Sequence, residues 1–139
     1  MKKNLVFRVD FSDKFGYGHL IRCLTFLENI NIHNFKIYFI ILSNDFDNPF
    51  LDIIKKYKIY KLKIDLKKFT PSIKKDFQLT SEILKKIDDP ILIIDSYSIN
   101  YNWCLKIRKF TKKQILFNDF IKKKIICDIL IDQTFGRKT

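Results

Sequence analysis

Two stretches of the 139-residue chain are apolar almost without a break: KIYFIIL at 36–42 and PILIID at 90–95. A strand with one wet face alternates apolar and polar residues, because successive side chains point to opposite sides. Runs with no polar face belong to strands covered on both sides, as in a parallel sheet with helices above and below. Four further segments read as strands around these two. NLVFRV (4–9) is short, β-branched and aromatic, IYKLKI (59–64) alternates like a more exposed strand, and QILFND (114–119) and CDILID (127–132) complete the set.

Between the strands lie segments with helical spacing. HLIRCLTFLENI (19–30) puts Leu20, Cys23, Leu24 and Leu27 on one face. NPFLDIIKKY (48–57) reads as a helix with Pro49 acceptable in its first turn. SIKKDFQLTSEILKKI (72–87) carries Ile73, Phe77, Ile83, Leu84 and Ile87 in an approximately helical pattern, and INYNWCLKIRKF (99–110) is a further helix. Strands alternating with helices predict an α/β fold: a Rossmann-like, mostly parallel sheet with helices on both faces, joined by right-handed crossovers. The length suits one domain over 1–139, with no repeat and no low-complexity linker.

Composition narrows the function classes. A hydrophobic content of 47% excludes disorder. The net charge of +12 comes almost entirely from lysines scattered along the chain, so it reads as a solvated surface and not as a specific nucleic-acid interface. Cys23, Cys104 and Cys127 lie far apart without metal-ligand spacing, and read as buried thiols in a reducing compartment, with no disulfide framework and no metal. Arg8 and Asp10 interrupt the first apolar run before it reaches the length of a signal-peptide core, and no run approaches the roughly 18 residues of a spanning helix. A cytoplasmic protein with no membrane partner is expected.

In open parallel sheets, functional groups gather beyond the carboxyl ends of the strands. Asp10 follows the first strand, Asp95 ends PILIID, and Asp119 ends QILFND, so three carboxylates are expected at one rim. The same rim receives DFSDKFGYGHLIRC (10–23), which holds two of the three glycines and one of the two histidines. Gly16 and Gly18 flank Tyr17 and allow close backbone approach at a helix N-terminus. A dinucleotide fingerprint would want a third glycine at position 21, which is isoleucine. His19 stands where the helix dipole disfavours imidazolium, and a neutral imidazole is what a general base needs; the alternative is a helix-start residue without chemistry. Arg22, one turn on, either holds an anion or pairs with a rim aspartate. Asp95 and Asp119 are candidate substrate ligands or strand-end caps, DSY at 95–97 places the phenol of Tyr97 beside a carboxylate, His33 reads as surface, and Trp103 reads as packing.

FRVDFSDKFGYGHLIRCL (7–24) resembles the N-terminal signature of the UDP-sugar hydrolases of pseudaminic acid biosynthesis, relatives of the spore-coat polysaccharide protein SpsG. ILIIDSYSINYNW (91–103), ILFND (115–119) and CDILIDQTFGR (127–137) resemble that family's later blocks, in order; at 118 the chain has Asn where the family often has Asp. The resemblance implies the N-terminal half of a glycosyltransferase B architecture and hydrolysis of a UDP-linked diacetamido-trideoxy sugar to UDP and free sugar, without cofactor. It implies His19 as the base that activates water. Arg8, Asp10, Gly16, Tyr17, Gly18, Arg22, Asp95, Tyr97 and Asp119 would surround the substrate. The family's second, nucleotide-holding domain is not within these 139 residues. Three alternatives follow: an inactive nucleotide-sugar-binding half-domain, one completed by a separate polypeptide, and a related sugar transferase.

Overall fold

The computed structural model of the protein describes residues 1–12, 16–63, 72–117 and 124–132. Among them, six strands form one sheet: β1 (Lys3–Asp10), β2 (Phe35–Ser43), β3 (Lys58–Lys63), β4 (Ile91–Asp95), β5 (Lys113–Phe117) and β6 (Ile129–Ile131). Three α-helices lie between these strands: α1 (Gly18–Glu28), α2 (Ile73–Leu84) and α3 (Tyr101–Ile107). The strand order is β3-β2-β1-β4-β5-β6, and every neighbouring pair is parallel. This is the expected α/β, Rossmann-like fold. No helix among the described residues is long and apolar enough to cross a membrane.

The sheet separates two cores. Leu5, Phe7 and Val9 of β1 face one side with Leu20, Cys23 and Leu27 of α1. Val6 faces the other with Leu84 of α2 and Trp103, Cys104 and Ile107 of α3. The uninterrupted apolar character of β2 and β4 follows from this double covering. β3 is an edge strand in which only Leu62 is buried, and Lys58, Lys61 and Lys63 are exposed along it. Charged side chains on an edge discourage pairing with another chain.

The structure corrects the helix expected over 48–57, which is a six-residue 3₁₀ segment, Pro49–Ile54. Asn48 caps it by accepting from the Phe50 N–H at 2.9 Å, and the chain must turn back into β3 at Lys58, which leaves no room for a longer helix. α3 is also shorter than its apolar pattern and ends in a 3₁₀ turn at Arg108–Phe110. The larger correction concerns α2. Its buried positions are Asp76, Thr80, Ser81 and Leu84, while Ile73, the first residue of the apolar helical pattern, is 40% exposed.

Asp128, just before β6, adds to the parallel pairing of β6 with β5. Its carboxylate accepts from the Gln114 N–H at 2.7 Å and from Arg108 at 2.9 Å, while its own N–H donates to the Gln114 carbonyl at 2.8 Å. The Gln114 amide bond and the Arg108 charge, against the opposing effect of burial, hold Asp128 below its ordinary value of 3.8. A carboxylate depressed on folding stabilises the fold above its unfolded value, and that stability disappears as pH falls through the folded value. Asp128→Asn should therefore lower stability at pH 7 by no more than about 1 kcal/mol, since the pair is solvated. Denaturant midpoints measured from pH 7 downward should show the difference from wild type closing below pH 3.8.

Candidate functional site

The strand order reverses between β1 and β4, which opens a crevice beyond their carboxyl ends. Val9 is in register with Asp95, so Asp10 and Asp95 end adjacent strands one residue out of step and face opposite sides of the sheet. The loop after β1 closes with an isolated bridge between Ser12 and Gly16, and the Gly16 N–H donates to the Ser12 carbonyl at 2.7 Å. Gly16 adopts φ +76°, a left-handed conformation that only glycine takes up without strain. α1 then starts at Gly18, and the N-cap residue Tyr17 contributes no side-chain hydrogen bond to the helix end.

Asp95 organises the upper part of the site. Its Oδ1 receives His19 Nδ1, and its Oδ2 accepts from Arg22 Nε at 2.7 Å. A terminal amine of Arg22 also donates to Oδ1. A carboxyl already receiving hydrogens from a guanidinium is the acceptor, which assigns an N–H to Nδ1; in the neutral ring the lone pair then lies on Nε2. His19 is 4% exposed, and its Nε2 is buried with no partner among the described residues. The Tyr97 ring meets the imidazole edge-on, with centroids 4.4 Å apart and planes at 69°. The Arg22 guanidinium lies over the Phe117 ring at 5.0 Å. Beneath, burial pushes the Cys23 thiol well above its ordinary value, and the Asp95 charge pushes it further, which rules it out as a nucleophile at neutral pH.

Arg8 and Asp10 lie below the rim. Arg8 is wholly buried, with one terminal amine donating to Asp10 Oδ1 at 2.9 Å and the other to Asp76 Oδ2. Burial alone would lower its pKa; the charges of Asp76 and Asp10 outweigh that and raise it. Asp76 Oδ1 accepts from the Trp103 indole N–H at 3.1 Å and from the Thr80 hydroxyl at 3.2 Å. Asp10 Oδ2 accepts from the Ser96 hydroxyl at 2.6 Å and the Tyr97 N–H at 3.1 Å, and Ser98 Oγ donates to its Oδ1 at 3.3 Å. Loop capping, one of the two roles open to Asp95 and Asp119 in the sequence, is carried here by Asp10.

The predicted residues divide accordingly. His19, Arg22, Asp95 and Tyr97 come together at the crevice. Arg8, expected against the substrate, is wholly buried, with both terminal amines on carboxylates. Asp10 is likewise buried and committed to the 96–98 loop. The Tyr17 ring packs at a tilt against Phe11, centroids 4.8 Å apart, and stacks on Phe50 at 5.5 Å, and its hydroxyl accepts from Asn48 at 3.3 Å. Asp119 lies outside the described residues. Sequence reasoning misses Asp76; its signal is the spacing Asp76, Thr80, Leu84, which places it on the buried face of its helix. Among the described residues, no three His, Cys, Asp or Glu side chains gather closely enough to hold a metal ion. A mostly apolar cleft adjoins the site, lined by Tyr97, Tyr101, Cys104, Phe117 and Lys124 among others.

The arrangement supplies a buried imidazole nitrogen oriented by a carboxylate, next to the start of an eleven-residue helix whose amides favour negative charge. It suits proton abstraction beside an anionic leaving group. The two glycines should behave differently. Gly16→Ala forces a side chain into a left-handed backbone and should cost about 1–2 kcal/mol. A Cβ at Gly18 meets nothing within 4 Å, so Gly18→Ala should fold with stability within about 1 kcal/mol of wild type, the change favouring the helix. Denaturant titration of both variants measures this.

No known protein-family model matches the chain, and no curated protein matches it.

Proposed function

We propose that the chain carries the catalytic half of a UDP-sugar hydrolase, which converts a UDP-linked diacetamido-trideoxy sugar to UDP and free sugar in the making of pseudaminic or related nonulosonic acids or surface polysaccharide. The observation that carries this is the His19–Asp95 pair at the switch-point crevice, with the hydrogen on Nδ1 and a buried Nε2 that has no partner among the described residues. The resemblance of 7–24 and 91–103 to that enzyme family supports the choice of substrate class.

In this scheme His19 Nε2 takes a proton from water as the water oxygen attacks the anomeric carbon. The bond from that carbon to the diphosphate oxygen breaks, and its electron pair leaves with UDP. A diphosphate is a good leaving group, so little acid assistance is needed. Asp95 keeps the imidazole in the correct tautomer and stabilises the imidazolium that forms, and Arg22 holds Asp95 in place. The N-terminus of α1 faces developing negative charge favourably, and the open space at Gly18 lets a phosphoryl group approach the backbone.

UDP release from UDP-linked diacetamido-trideoxy sugars tests this. His19→Ala should lower kcat by about a hundredfold or more. Asp95→Asn should lower it at least about tenfold, because an amide no longer selects the tautomer. A folded wild-type chain that binds the UDP-sugar without releasing UDP would reduce the role to a binding half-site. One that neither binds nor hydrolyses it would overturn the proposal.

A further inference from the structure

A second set of charges lies beneath the rim. Arg8 is fully enclosed between the central strand and α2, and its Nε has no partner among the described residues. The orientation of its guanidinium therefore rests on its two terminal amines, one on Asp10 and one on Asp76. Asp76 is in turn fixed from the far side by Trp103 and Thr80. On the near side, Asp10 accepts from three groups of the 96–98 loop: the Ser96 and Ser98 hydroxyls and the Tyr97 N–H. That loop sets the Tyr97 ring against His19. The chain of contacts runs without interruption from α2, through β1, to the imidazole.

We infer that Asp76 is a positioning residue of the His19 site: it fixes Arg8, Arg8 fixes Asp10, and Asp10 holds the loop that places Tyr97 on the imidazole. Asp76 bonds to Arg8, Trp103 and Thr80, not to the crevice residues, and acts through this relay. Two of the relay's members, Arg8 and Asp10, stand in the stretch that also supplies His19, so their presence there follows from support of the site and not from contact with substrate. Charge-assisted bonds suit such a relay, because they are short, directional and strengthened by the surrounding low dielectric. The effect on turnover rests on the hydrolase reading above; the effect on geometry does not.

Asp76→Asn keeps the side chain's shape and removes its charge. Nuclear magnetic resonance should show the Tyr97 amide exchanging about tenfold faster and the nuclear Overhauser effect between the Tyr97 and His19 rings abolished, with β2 and β3 amides as protected as in wild type. Where the protein turns over UDP-sugar, kcat should fall about tenfold with KM within about twofold, since a displaced wall of the site slows the chemical step more than binding. If Asp76→Asn does not fold, Thr80→Val decides the matter: it removes only the 3.2 Å bond to Asp76 and should speed Tyr97 amide exchange about threefold. Wild-type exchange and an intact ring-to-ring Overhauser effect in the deciding variant would overturn the inference. The resonance measurements need no substrate, so a wild type that fails to hydrolyse UDP-sugar sinks the hydrolase reading and leaves this test standing.

Discussion

A guanidinium enclosed by protein must bring its own counter-charges, and the placement of Arg8 governs much of this molecule. Arg8 lies on β1, which pairs with both β2 and β4, and its side chain points to the face covered by α2 and α3. Taking one such charge out of water costs several kcal/mol even after relaxation, and a partner removed from the pair leaves that cost uncompensated. α2 therefore has to turn Asp76 inward. The consequence is visible in the helix itself: Thr80 and Ser81 are buried with Asp76, and Ile73 is left 40% exposed. Satisfying a charge outweighs burying one more isoleucine, because side-chain burial contributes only about 1.5–3 kcal/mol.

The two strand-end carboxylates at the switch point then take different work. Asp10, already bonded to Arg8, turns its remaining acceptor positions to the 96–98 loop. Asp95 faces α1 and holds His19 and Arg22 together. A histidine with one nitrogen on a carboxylate has a defined tautomer and ring plane, whereas one left to solvent has neither. The division leaves His19 Nε2 buried without a partner among the described residues, and the chemistry proposed for the site is the chemistry of that atom.

The strands are the most legible elements. KIYFIIL and PILIID read as doubly covered, and β2 and β4 are buried as that pattern demands. Helical spacing marks α1 correctly, with Leu20, Cys23 and Leu27 buried, but misleads at 48–57, where spacing alone cannot tell a helix from a 3₁₀ segment confined between two strands. At the site, the clustering of scarce residues between Arg8 and Arg22, together with the aspartate that ends PILIID, points to the group that meets at the crevice: His19, Arg22 and Asp95. It does not show that Arg8 and Asp10 lie buried beneath the rim, because burial of the Arg8 charge depends on a carboxylate that comes from α2, 68 positions along the chain.

What the sequence determined by itself was the alternation of doubly covered strands with helices, and the concentration of one histidine, two arginines and their aspartates at the ends of the first and fourth strands. Those features depend on local periodicity and on the rule that parallel strands present their carboxyl ends to one rim. Only the tertiary structure decided which charges face the crevice and which lie beneath it. The reason is that pairing of buried charges is a long-range property: Asp76 meets Arg8, and Asp95 meets His19, only after α2 and α1 have packed on opposite faces of the sheet.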